Sequence, residues 1–240
     1  MRKKLDELHT KSKKPVFIFD LDGTLFNVNY RHIAIMRKLT AQSEFRNEFK
    51  EYCAAIDKLS PGDFLYSIEA SLNRAGITRY SEHSAQFIRQ VENFWFKHFF
   101  TDEYVLQDEP YSGAVACVKH YHQQGAQIVY LSGRDIPNMS RGTIGALEKY
   151  GFPHSGHQVT VCLKPAYGLD DYLFKKQSLE AIRTEGTVIA TFDNEPANVD
   201  LFIKEFPEAM NFHFDTQYAR EMQLSGASFY RIKSFEELGF

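Results

Sequence analysis

The sequence predicts a doubly wound α/β fold: a parallel sheet covered on both faces by helices, with an all-helical domain inserted after the first strand. Three observations carry this. The run Pro15-Val16-Phe17-Ile18-Phe19 is continuously apolar and stops at two carboxylates, Asp20 and Asp22. From about Ser112 onward, short apolar runs alternate with segments of helical periodicity, the pattern of a parallel sheet. Between about Val28 and Asp108, apolar residues recur only at helical spacing.

In chain order, the first run needs no polar alternation, because helices cover both faces of a strand in a parallel sheet. Alternate residues of a strand project to the same side, and ligands of open α/β sheets bind beyond the carboxyl ends of strands. Asp20 and Asp22 are therefore expected to face a site. Gly23 permits a sharp turn there, and Thr24 adds a hydroxyl. In the next segment, Ile33, Met36 and Leu39, then Phe45, Phe49 and Tyr52, then Phe64, Ile68 and Leu72, and Phe87, Val91 and Phe94 mark apolar stripes. They fit about three to five amphipathic helices. Ser60-Pro61-Gly62-Asp63 supplies a break and a helix start, and Ala75-Gly76 a helix end. Further strands are expected over 127–131, 158–163, 187–192 and 211–214, with helices near 112–123, 137–150, 171–183 and 196–206. The division is then a basic tail over 1–14, a core of 15–27 and 109–240, and a helical domain over 28–108.

A chain of 240 residues is long enough for such a core with an inserted domain. The formal net charge of -3 argues against a generally basic surface for nucleic acid. Arg2, Lys3, Lys4, Lys11, Lys13 and Lys14 crowd the start without the apolar stretch of a secretion signal, so a solvated tail or short helix is expected. No uninterrupted apolar span of about 18 residues is present, and no membrane partner is expected. Cys53, Cys117 and Cys162 lie far apart without CxxC spacing, and read as buried thiols of a cytoplasmic protein. No feature specifies an oligomeric state. Phe94, Trp95 and Phe96 with Phe99 and Phe100 read as core, because aromatic clusters at helical spacing usually are.

Two later strand ends also carry chemistry. At Ser132-Gly133-Arg134, the hydroxyl and the main-chain N–H groups beside Gly133 can donate to an oxyanion. Arg134 suits either a bidentate contact with phosphate or a surface ion pair with Asp135. Asp193 ends the apolar run 188–192, and Pro196 fits the first turn of the helix that follows. Asp193, Asp20 and the Asp22 main-chain carbonyl would together offer an all-oxygen set suited to Mg²⁺. Lys164, Lys175 and Lys176 are the candidate cations.

Asp20-Leu21-Asp22-Gly23-Thr24, Ser132 and Asp193, in this order and context, resemble the motifs of the haloacid dehalogenase-like hydrolase superfamily, phosphatase branch. The resemblance implies a Rossmann-like core with a helical cap acting on a small phosphorylated metabolite. It implies that Asp20 attacks phosphorus to form an aspartyl phosphate, that Asp22 serves as acid and base, and that Asp20, Asp22 and Asp193 hold Mg²⁺. Thr24, Ser132, Gly133, Arg134 and Lys175 would bind the phosphate. Asp22 points away from the dehalogenases, which lack that second carboxylate. A phosphomutase, or a catalytically silent phosphate-ligand binding protein, is the alternative. Among the lysines, Pro165 biases Lys164 toward extended chain, whereas Lys175 lies about one turn into a helix and Lys176 about 100° further round it. The family commonly places a second acid soon after the fourth motif. Here Asn194, Glu195 and Asn198 stand instead. Tyr30 and Arg31, just beyond the catalytic loop, are expected to influence substrate preference.

Overall fold

The computed structural model describes residues 14–217, 224 and 228–240, so the basic stretch over 1–13 lies outside the described residues. Every residue of β1 (Pro15–Phe19) is buried. Its two faces enter different cores: Phe17 and Phe19 pack with Leu21, Phe192 and Phe212, while Val16 and Ile18 pack with Val129, Leu179 and Leu201. Burial on both sides is why the run shows no alternation. Phe19, Phe192 and Phe212 are register partners on neighbouring strands, and their rings stack at centroid distances of 4.7 and 4.6 Å.

Beyond the turn at Gly23, a short antiparallel ribbon pairs β2 (Phe26–Asn27) with β3 (Glu109–Pro110). Six helices run between its strands: α1 (Asn29–Thr40), α2 (Ser43–Glu48), α3 (Lys50–Ile56), α4 (Ile68–Arg74), α5 (Glu82–Phe99) and α6 (Asp102–Val105). The number exceeds expectation because the chain breaks at Phe49, with φ -118° and ψ 39°, and because α6 adds a single turn. The insert has its own core of Ile33, Met36, Phe45, Phe49, Leu72, Phe87 and Val91. The break at Ser60 is a 3-10 turn over Pro61–Asp63, held by the Asp63 carboxylate accepting from the Ser60 N–H and hydroxyl.

After β3 come α7 (Ala114–Gln123), β4 (Gln127–Asp135), α8 (Ile136–Tyr150), β5 (Val159–Lys164), α9 (Asp171–Glu185), β6 (Thr187–Asp193), α10 (Pro196–Glu205), β7 (Met210–Phe214) and β8 (Tyr230–Ile232). The strands form one parallel sheet of order β5-β4-β1-β6-β7-β8. β8 escapes the sequence pattern because it is short and only Ile232 of its three residues is buried. The chain winds from β1 through β4 to β5, then returns to the other side of β1 as β6. The crevice beyond the carboxyl ends of β1 and β6 is therefore the topological switch point, where such sheets bind ligands. Cys53 and Cys117 are buried as expected, Cys162 is only half-buried, and all three are free thiols. No described helix is long and apolar enough to cross a membrane.

Candidate active site

Asp20 follows β1 directly and donates its N–H to the Phe192 carbonyl at 2.9 Å, and Asp193 ends the neighbouring β6. Opposite them stands α9, whose first turn is capped by Asp170 accepting from the Leu173 N–H. One turn in, Lys175 Nζ donates to Asp20 Oδ1 at 2.7 Å and to Asp193 Oδ2 at 2.6 Å. All three side chains are nearly inaccessible to solvent. Burial pushes the Asp20 carboxyl up, Lys175 opposes this and the nearby Asp193 adds to it, leaving Asp20 at about 7. Burial alone would lower the Lys175 ammonium, but Asp193 and Asp20 reverse that and keep it charged. Lys164 points elsewhere, donating to the Tyr167 and Leu169 carbonyls and to Asp171 Oδ1, and so pins the loop that enters α9. Lys176 is exposed.

The second oxygen of Asp193 accepts from the Glu195 N–H at 2.9 Å and from Asn198 Nδ2 at 3.1 Å. Of the three residues that stand near the family's usual second acid, Asn198 is thus the one whose side chain orients Asp193. Asn194 turns toward the catalytic loop, accepting from the Thr24 hydroxyl and donating to the Gln217 carbonyl.

Asp22 has a different set of partners. Its Oδ1 accepts from Arg31 Nη2 at 3.1 Å, from Arg134 Nε at 2.9 Å and from Arg134 Nη2. Both guanidinium groups also grip Asp108: Arg31 Nε donates to Oδ1 at 2.9 Å, Arg134 Nη2 donates to Oδ2 at 2.8 Å, and Arg31 Nη2 donates to Oδ2 as well. Two aspartates and two arginines make a neutral, largely buried quartet. Burial pulls the Asp22 carboxyl up, but Arg134 and Arg31 outweigh it and hold the group at about 2, although a third of its side chain is accessible.

The quartet corrects two expectations. Arg134 makes no surface pair with Asp135, which instead caps α8 by accepting from the Asn138 N–H. Nor is the Arg134 fork open to a phosphate, since Nε and Nη2 are spent on Asp22 and Asp108 and Nη1 donates to Thr143 Oγ1. Arg31 is fully buried, and neither it nor Tyr30 lines the pocket. Thr24 is likewise corrected as a phosphate contact. Gly23, at φ +79°, folds the chain back so that Phe26 N–H meets the Leu21 carbonyl, and Thr24 is driven inward onto Asn194. A Cβ on Gly23 would collide with the Asn194 amide, so the turn also needs glycine for space. Ser132 and Gly133 do line the pocket, and Ser132 Oγ accepts from the Arg134 N–H at 3.3 Å.

The pocket beyond these strand ends has a volume of about 530 Å³, within the range of small-molecule sites. Asp20, Asp22, Ser132 and Lys175 form its floor, and the insert contributes Asn29, His32, Tyr66, Trp95, Phe99 and Phe100. Trp95, Phe99 and Phe100 were expected in the core. They pack with Ile35 and Tyr104 and also expose part of their surface to the pocket. His32 is buried among rings and accepts from Trp95 Nε1–H at Nδ1, 2.9 Å away. Burial and the adjacent Arg31 push its imidazole down to about 3, so it is neutral. Asn29, His32, Asp108 and the pairing role of Arg31 escape sequence reasoning because none stands in a motif. The one available signal is that residues 29–32 and 108 bracket the insert.

Among the described residues, no three His, Cys, Asp or Glu side chains are grouped to hold a metal. Two carboxylates and a main-chain carbonyl nonetheless suit Mg²⁺, which takes oxygen ligands and keeps several waters. The fit has an electrostatic reason: buried Asp20 and Asp193 share a single ammonium and the Asp20 carboxyl is pushed up to about 7, so a cation beside the pair would favour its ionised form.

A parallel sheet with acidic, lysine-bridged strand ends at its switch point and a helical insert over them defines an α/β enzyme. The sequence model of haloacid dehalogenase-like hydrolases matches residues 14–172, two thirds of the chain, and the chain belongs to that family of hydrolases. Comparison with curated proteins gives no significant match. Among solved structures it resembles a Burkholderia xenovorans LB400 protein, provisionally described as a haloacid dehalogenase-like hydrolase, at TM-score 0.54 and 14% identity over 94% of both chains. A Clostridium difficile protein provisionally described as a phosphatase aligns at TM-score 0.55 and 9% identity, over 94% of this chain and 97% of its own. A Clostridium acetobutylicum protein of similar description aligns at 0.53 and 14%, over 94% and 96%. At these identities the likeness establishes the fold, and the bond that is cleaved must be argued from the site.

Proposed function

We propose that this protein is a Mg²⁺-dependent phosphatase of small phosphomonoesters, with the helical insert as a cap over the site. The observation that carries this reading is Lys175, whose ammonium joins the Asp20 and Asp193 carboxylates at the floor of the pocket. An oxygen of Asp20 attacks phosphorus while the bond to the ester oxygen breaks, giving an aspartyl phosphate and an alkoxide. Asp22 protonates the alkoxide, then takes a proton from the water that attacks the second time, releasing phosphate and restoring Asp20. Lys175 and Ser132 balance charge on the phosphoryl oxygens. Asp20, Asp193 and the Asp22 carbonyl would hold Mg²⁺, which supplies further positive charge there. The ionised state of Asp22 suits the second half-reaction. For the first, Asp22 takes up a proton from solvent as the phosphate dianion arrives beside it and raises its affinity, so the carboxylic acid is in place when the alkoxide leaves. The free thiols suit a reducing compartment such as the cytoplasm.

The test is phosphate release from a panel of phosphomonoesters, with Mg²⁺ and with EDTA, by the wild type and by Asp20→Asn. Release that needs the metal and vanishes in the variant is expected. Near-wild-type release by Asp20→Asn would sink the mechanism.

A further inference from the structure

The cap side of the pocket has a chemistry of its own, and an inference from it rests on the phosphatase reading just given. We propose that the alcohol half of the substrate carries a flat heteroaromatic ring with both a hydrogen-bond donor and an acceptor on its edge, as in a nucleoside monophosphate. Asn29 and His32, three residues apart on α1, lie on one face of the helix and both line the pocket.

Asn29 is 6% exposed, and its Oδ1 is buried without a hydrogen-bond partner. A buried acceptor left unpaired is costly, and a ligand N–H would relieve it once the Asn29 amide turns toward the cavity it lines. On His32, the proton donated by Trp95 Nε1 to Nδ1 fixes the tautomer, so the neutral ring carries its own proton on Nε2. One acceptor and one donor are therefore carried on the same face of α1.

Around them the wall is aromatic. The His32 ring stacks on Phe99 at 4.9 Å and on Phe64 at 5.5 Å, with interplanar angles of 21° and 10°, and Trp95 and Phe100 open onto the same cavity. Every nucleobase has a face for such rings to stack on and a polar edge for Asn29 and His32. A bare sugar phosphate has hydroxyls for the polar pair but no aromatic face. Its hydroxyls would lose water against ring faces and regain only two partners.

The experiment has two arms. In the first, kcat/KM with Mg²⁺ is measured for the common nucleoside monophosphates, ribose 5-phosphate and phenyl phosphate. The best nucleotide is expected to exceed both others at least tenfold, mainly through KM, and in Asn29→Ala this ratio is expected to fall toward one. If ribose 5-phosphate or phenyl phosphate matches the best nucleotide, the proposal is overturned. The second arm needs no turnover: Trp95 is the only tryptophan in the chain, so its fluorescence reports the pocket. Unphosphorylated nucleosides are expected to quench it saturably, with affinity at least tenfold weaker in Asn29→Ala. Absence of quenching at millimolar nucleoside overturns the proposal. If instead quenching occurs while no ester is hydrolysed, the phosphatase reading fails and the ring site stands.

Discussion

The Asp108 carboxylate, at the end of the helical insert, accepts from Arg134 Nη2 at 2.8 Å, and neither side chain is reached by solvent. This contact ties the residue just before β3 to the carboxyl end of β4, and through Arg134 it reaches Asp22. Asp108→Asn keeps the shape but leaves two buried guanidinium groups facing one carboxylate. Removing one partner of a buried pair costs about 3–5 kcal/mol. Urea unfolding is expected to show a loss of that order, whereas a stability within 1 kcal/mol of wild type, on the order of a surface pair, would show that the quartet is not a coupled unit.

Asp22→Asn should slow the enzyme according to the leaving group. An alkyl ester needs a proton on its departing oxygen, while a nitrophenolate leaves without one. The variant is expected to lose about 10²-fold or more on an alkyl ester and markedly less on p-nitrophenyl phosphate, general acid–base catalysis being worth roughly 10²–10⁴-fold. Equal losses on both esters under single-turnover conditions would remove Asp22 from the proton-donor role.

Lys175→Ala strands two buried carboxylates beside each other without their ammonium. A loss in kcat/KM of about 10²-fold or more is expected, the scale for removing a group that stabilises developing charge. Lys164→Ala, which frees the Tyr167–Asp171 loop, should lose less, and Lys176→Ala should behave as wild type. A large loss confined to either of those two variants would reassign the phosphate-binding lysine.

His32 predicts a pH dependence of stability. Its imidazole sits near 3 in the fold against an ordinary 6.5, so between these values the unfolded chain binds the extra proton. Stability from this group therefore rises with pH across that window and is lost as pH falls below 6.5. Asp20, held at about 7 against 3.8, acts in the opposite direction over much of the same range, which is why the variant must be compared with wild type. The unfolding free energy of His32→Gln is expected to fall less steeply from pH 6.5 to 4.5, by up to about 1.4 kcal/mol per pH unit. Parallel slopes would mean that His32 is protonated in the fold.

The core was readable to a large degree because its signals are local. β1 is continuously apolar since both faces are buried, β6 begins at the expected Thr187, and Asp20 and Asp193 fall at strand ends because apolar burial stops there. The position of Lys175 followed similarly from helical phase, counted from a start near Asp170. β8 was not readable, as a three-residue strand with one buried side chain has no periodicity to detect.

By itself, then, the chain's order of residues determined the sheet, the carboxylates at its edge and the family that shares them, because burial and spacing act between near neighbours. Tertiary structure alone decided what those carboxylates touch. Arg134 meets Asp22 across 112 residues and Arg31 meets Asp108 across 77, so a fork that suits phosphate in the sequence is spent on buried aspartates in the fold. The ring-lined wall of Trp95, Phe99 and Phe100 arose in the same way. Helical spacing marks these rings as apolar, but whether they close a core or line a pocket depends on where the insert docks on the sheet, and that is set by contacts between residues far apart in the chain.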